Sequence, residues 1–194
     1  MSINVYDDFF SEEDYIFIFK YCINASYFYG DSDIEDNNQK YCTGLTHEVY
    51  YYTDKNPLLE DSFLFGSGSV KSINQKKLFD LFSTSIEKKL PEYKAKDISR
   101  LYINCFAPTE NPYFHIDGGV GTTFLYYPNP NCNLDQGGET QFIVDDNIYA
   151  IPPVTNRLIS FDANILHKAT TFRDHHRFTI AIKYGTHKSP EWKD

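Results

Sequence analysis

The sequence predicts a mainly β domain, a sandwich or barrel, with flanking α-helices packed on its outside. From Ile98 onward, short apolar or alternating segments recur between clusters of Pro, Gly, Asn and Asp, as short strands joined by turns do. Ahead of Ile98, two stretches carry apolar residues at helical spacing instead. The 16 Tyr and 16 Phe, against one Trp, often sit in runs with Ile and Val, which favours strands. A chain of 194 residues suffices for one domain with its own core and leaves little room for a second. A single domain over 1–194 is therefore expected, with helical support over about 1–97 and the β core over about 98–186.

The first helix starts at Ser11, whose hydroxyl can cap it, followed by Glu12, Glu13 and Asp14 where the helix dipole favours acids. Tyr15, Ile18, Phe19 and Cys22 then repeat at helical spacing. Gly30 and the acidic stretch Asp31 to Asn38 end the element as an exposed loop. The Tyr-, Phe- and Gly-rich segment Gly44–Gly68 reads as a lid. A second helix spans about Asn74–Leu90, with Leu78, Phe82, Ile86 and Leu90 on one face and Pro91 closing it. Strands follow at Arg100–Phe106, Thr122–Tyr127, Thr140–Val144, Arg157–Phe161 and Arg177–Tyr184. Gly137-Gly138 permit a tight turn into the third of them, and Glu139 beside them is read as structural.

The net charge of −9 and the lack of a basic run argue against a nucleic-acid backbone as main partner. The start Met1-Ser2-Ile3-Asn4-Val5 lacks the basic and apolar parts of a signal peptide. No apolar run approaches the length of a membrane span. Cys22, Cys42, Cys105 and Cys132 show no C-x-x-C spacing, so reduced thiols in a cytoplasmic chain are expected, with a four-cysteine zinc site as the alternative.

His115-x-Asp117 places two metal-ligand types on one face of a strand or at its end. With six His and 27 acidic residues, chance alone supplies about one such match. His47, His175, His176 and His187 are read as solvated or structural. Two His and one carboxylate on one face of an ion leave positions open, the arrangement of non-haem iron(II) oxygenases.

Further landmarks stand around this motif. Tyr102-Ile103-Asn104 precedes it, and Phe124-Leu125-Tyr126-Tyr127-Pro128-Asn129 and Gly137-Gly138-Glu139-Thr140-x-Phe142 follow. His167 comes fifty residues after Asp117, and Arg177 ten beyond that, in Arg177-Phe178-Thr179-Ile180. In this order the segment Leu101–Tyr184 resembles the 2-oxoglutarate and iron(II) dioxygenases, most closely the prolyl 4-hydroxylase-like branch. Phe9-Phe10-Ser11-Glu12-Glu13 is similar to that branch's opening helix.

The resemblance implies a double-stranded β-helix, or jelly roll, with Fe(II) held by His115, Asp117 and His167. It implies 2-oxoglutarate as cosubstrate, dioxygen, succinate and CO2 as by-products, and ascorbate as a candidate reductant. Arg177 fits the far carboxylate of 2-oxoglutarate, because an unpaired guanidinium at the start of an apolar strand is costly and its fork suits a carboxylate. An internal salt bridge would satisfy it as well, and Arg173 is its nearest competitor. Tyr127, Tyr102 and Thr179 are candidates to line the cosubstrate pocket, with Asn104 behind them. Arg100 and Lys183 are read as solvent- or substrate-facing rather than as part of the machinery.

The substrate expected from the resemblance is a prolyl residue in a peptide or protein, with Val49-Tyr50-Tyr51-Tyr52 stacking on its ring or packing as a plain strand. A small metabolite, an amino acid or a nucleobase is the alternative within the same chemistry. A cupin-like binding module is the alternative outside it, disfavoured because such a module has no need of Arg177.

Overall fold

The computed structural model describes residues 3–29, 32–36, 39–42, 44–51, 72–118, 120–130 and 133–186. Helix α1 (Glu12–Asn24) starts as expected: the Ser11 hydroxyl accepts from the Asp14 N–H, and three acids fill the first turn. Helix α2 (Ile73–Lys89) is capped by Ser72 on the Gln75 N–H and carries Lys88 and Lys89 at its negative end. It buries Leu78, Phe82 and Ile86, the face its spacing predicts. Leu90 closes the last turn through its N–H on the Ile86 carbonyl, and Pro91 follows.

In chain order the strands are β1 (Asn4–Tyr6), β2 (Phe28–Tyr29), β3 (Ser32–Asp36), β4 (Gln39–Cys42), β5 (Leu45–Tyr51) and β6 (Ile98–Phe106). Then come β7 (Val120–Tyr127), β8 (Thr140–Val144), β9 (Asn147–Ile151), β10 (Arg157–Asp162), β11 (His167–Ala169) and β12 (Arg177–Thr186). A seven-stranded sheet runs β1-β10-β7-β12-β6-β5-β2, and a three-stranded sheet runs β11-β8-β9. Every ladder is antiparallel. These two sheets make the jelly roll, and the β3–β4 hairpin stands apart from both.

Alternation along the large sheet sends side chains to two different places. Leu101, Ile103, Phe124, Tyr126, Ile180 and Ile182 pack outward with Ile18, Leu78, Phe82 and Ile86 of the helices. Tyr102, Leu125, Tyr127, Ile159 and Ala181 point inward and meet Phe142 of the small sheet. Phe82, fully buried, has its ring edge-on to Phe10 at 4.9 Å and to Tyr126 at 5.3 Å. Phe82→Ala should therefore cost about 3–5 kcal/mol. Urea unfolding checks this, and a loss under about 1 kcal/mol would mean the helix is not docked as described.

The structure revises several expectations. The helical support before residue 97 also contributes β1, β2 and β5 to the large sheet. The part of the acidic loop described is backbone-paired as β3 with β4. The first part of the lid segment is β5, locked to β6, while residues 52–71 lie outside the described residues. Val49 is buried in the outer core and the Tyr50 ring packs tilted against that of Phe79 at 4.5 Å, so these two pack as a plain strand; the side chains of Tyr51 and Tyr52 lie outside the described residues. Strand β9 is exposed along Asn147–Ala150, which removes the apolar alternation that would mark it in sequence. Of the four cysteines, Cys22 and Cys105 are free and buried, with burial pushing both thiols up. Cys132, the Cys42 side chain and His187 fall outside the described residues. Among the described residues no helix is long and apolar enough to cross a membrane.

Candidate active site

His115 and His167 are brought together by backbone. They form an isolated antiparallel bridge, each N–H donating to the other's carbonyl at 2.9 Å. Residues directly opposite in such a pair project to the same side, and their rings stand 4.5 Å apart between centroids. Two residues on, the Asp117 N–H donates to the Ala163 carbonyl at 2.9 Å, which fixes the carboxylate beside them. Asp117 Oδ1 lies 3.7 Å from His167 Nε2 and 4.0 Å from His115 Nε2. The ligand atoms all lie within 4.8 Å of one another, and this is the single such cluster among the described residues.

Both imidazoles are oriented for metal binding. Nδ1 of His115 is 3.0 Å from the Tyr113 carbonyl, and Nδ1 of His167 is 2.8 Å from that of Ile165. A carbonyl only accepts, so each Nδ1 carries a hydrogen and each Nε2 is turned toward the cluster. His167 packs edge-on to Phe161 at 4.8 Å and stacks near Phe142. Burial pushes it down to about 4 against the pull of Asp117, leaving it neutral at pH 7. For Asp117, burial alone would raise the carboxyl. The Lys183 ammonium, His167 and the hydrogen bonds from Lys183 and Thr123 outweigh this and hold it well below the usual carboxylate range.

The cluster sits in a pocket of about 200 Å³ between the sheets, with Arg177, Thr179, Thr140, Tyr102 and Asn104 also in its wall. Arg177 is 1% exposed. Its Nε donates to the Gly138 carbonyl at 2.7 Å and an Nη to Thr140 Oγ1 at 2.9 Å, with Thr179 Oγ1 at 3.5 Å from the other. These three acceptors are neutral. The Gly-Gly turn is what delivers the Gly138 carbonyl: at φ +84°, a Cβ there would lie 2.3 Å from the Phe172 ring, so only glycine fits. Arg173 is exposed in its turn, well suited to solvent and not to the pocket.

Tyr102 lies under the Arg100 guanidinium at 3.9 Å. Tyr127 is fully buried and absent from the pocket wall; its hydroxyl donates to Thr140 Oγ1 at 2.7 Å, and the Arg177 guanidinium lies 5.7 Å from the centroid of its ring. Thr140 itself escapes the sequence reading, because a lone Thr entering a strand carries no signal. Lys183 is the larger correction. It is buried, lines the pocket and is ion-paired with Asp117. The signal was available: Arg177, Thr179, Ala181 and Lys183 alternate along one strand and so share one face. Arg100 also enters the pocket wall, paired with Glu48 of β5.

No family model matches the sequence, and no curated protein matches it. Solved structures do match. A prolyl hydroxylase from Trichoplax adhaerens, solved with a hypoxia-inducible-factor peptide fragment, aligns at TM-score 0.62 and 16% identity over 94% of this chain and 83% of its own. A Pseudomonas putida prolyl-4-hydroxylase aligns at 0.65 and 11% identity, covering 95% and 92%. An oxidoreductase of the 2OG-Fe(II) oxygenase family from Burkholderia pseudomallei aligns at 0.67 and 11% identity, covering 94% and 84%. The chain has the fold of these prolyl hydroxylase and 2OG-Fe(II) oxygenase structures.

Proposed function

We propose that this chain is an Fe(II)- and 2-oxoglutarate-dependent dioxygenase that hydroxylates a prolyl residue in a peptide or protein. The observation that carries it is one pocket holding the His115, Asp117 and His167 cluster together with the buried Arg177. Two imidazoles that turn their Nε2 atoms toward the cluster and one carboxylate held ionised beside Lys183 are a donor set that would fit Fe(II). The metal, when bound with 2-oxoglutarate and dioxygen, supplies oxidation of an unactivated C–H bond, with ascorbate as an external reductant.

The chain's own residues do the rest. His115, Asp117 and His167 hold the ion. Arg177, aligned by Gly138 and Thr140, offers its guanidinium to the distal carboxylate of 2-oxoglutarate. Thr179 adds a hydroxyl at that end, Tyr127 steadies Thr140, and Tyr102 lines the side wall. Phe142, Phe161, Leu125 and Ala181 keep the inner end dry, which strengthens every charge contact there.

For the substrate, support comes from the likeness to prolyl hydroxylases, one of them solved with a peptide. The exposed apolar side chains Tyr113, Ile116 and Leu166, which flank the ligands in sequence, offer a surface suited to a pyrrolidine ring. Anaerobic titration with Fe(II) and then 2-oxoglutarate should develop the weak visible charge-transfer band of a chelated cosubstrate. Succinate release above the uncoupled background is then measured with proline-rich peptides, free proline and single-stranded nucleic acid. A +16 Da product on a peptidyl proline is the expected result. Turnover confined to free amino acids or nucleobases would reject the substrate while leaving the chemistry in place.

A further inference from the structure

Lys183 has no task in the roles assigned so far. It stands in β12 with a side chain only 7% exposed, so it is not a surface charge that steers ligands. A lysine buried this way is costly unless paired, and an apolar residue would fill the same space. Its ammonium is ion-paired with Oδ2 of Asp117 and donates to Thr123 Oγ1 at 3.2 Å, with the Tyr102 ring 5.7 Å away. The Thr123 hydroxyl in turn donates to the same Oδ2. Lys183 and Thr123 are direct cross-strand partners in the β12–β7 ladder, so the backbone sets both donors side by side.

The two oxygens of Asp117 are thereby sorted. Oδ2 takes the ammonium and the hydroxyl, while Oδ1 is the atom near both imidazole Nε2 groups. We propose that Lys183, with Thr123, is a positioning residue that holds Asp117 as a one-oxygen metal ligand. This rests on the reading of the cluster as a metal centre. A carboxylate free to swing could offer both oxygens and close one of the positions the centre needs open. A carboxylate clamped at Oδ2 cannot do so without breaking two charge-assisted hydrogen bonds.

The clamp and simple electrostatics predict opposite signs. An ammonium near the ion repels it, so if charge alone mattered, Lys183→Met would tighten metal binding. If Lys183 positions the ligand, the same change weakens it by about 10- to 100-fold, the usual effect of losing a group that orients a metal ligand. The experiment is an anaerobic Fe(II) titration of the parent, K183M, K183R and T123V, with circular dichroism of each metal-free protein. K183M is expected to weaken binding as stated, K183R to recover most of the loss by restoring a cationic donor, and T123V to lose a smaller part while keeping Lys183. T123V, nearly isosteric, decides the matter by the same titration if K183M does not fold. Parent-like or tighter Fe(II) binding in the folded variants overturns the clamp while the metal centre stands. A parent that binds no Fe(II) removes the metal-centre reading and the clamp together.

Discussion

His115→Ala is expected to abolish stoichiometric Fe(II) binding and 2-oxoglutarate turnover, yet to leave the protein folded and close to parental stability. The cluster supplies three donors, and an ion held by the remaining two would bind far more weakly than by the set as built. His115 is the most exposed of the three, with 24% of its side chain accessible against 8% for His167 and 6% for Asp117, so its removal opens no buried cavity. Asp117→Ala should lose the metal equally and also destabilise the protein. It strips the counter-charge from buried Lys183, and orphaning one member of a buried pair costs about 3–5 kcal/mol. Equilibrium dialysis with Fe(II) and urea unfolding separate the two effects. Parental iron binding in both variants would show the cluster wrongly assigned. Equal stability of the two would show Lys183 indifferent to its partner.

Arg177→Ala is expected to weaken 2-oxoglutarate binding by about 10- to 150-fold, the loss of a charge-assisted bond worth roughly 1.5–3 kcal/mol. Fe(II) affinity should move far less, because the contacts described for Arg177 run to Gly138, Thr140 and Thr179 and not to the ligands. Arg177→Lys is the sharper variant. It keeps the charge but loses the planar fork that Gly138 and Thr140 align, so it should recover only part of the affinity. Anaerobic 2-oxoglutarate titration of the iron-loaded variants, followed by the visible band, reads the effect. Undiminished affinity in both would assign the cosubstrate's far end to another cation, and Arg100 in the pocket wall becomes the first to test.

The parts legible in sequence are those that depend on near neighbours along the chain. Ser11 with its three acids and the 78, 82, 86 spacing mark the helices because cap and apolar face are local. Each of β6, β7, β8, β10 and β12 is visible as a short segment between turn residues. His115-x-Asp117 is legible because both ligands sit within one stretch, and Gly137-Gly138 because their backbone conformation excludes other residues. Tertiary structure alone decides what lies across a sheet. The bridge that sets His167 opposite His115 joins positions far apart in sequence, and only the pairing of chains puts their rings on one side. Thr140 enters the site because it meets Arg177 across the gap between the sheets, and Tyr127 is displaced behind it for the same reason. Lys183 could be placed on the face of Arg177 by alternation. That this face is interior at residue 183, and that the ammonium ends on Asp117 rather than in water, follows from the register that sets Lys183 against Thr123. Period along a strand reveals which residues share a face; what that face meets is settled by strand pairing and by the energetic need to partner every buried charge.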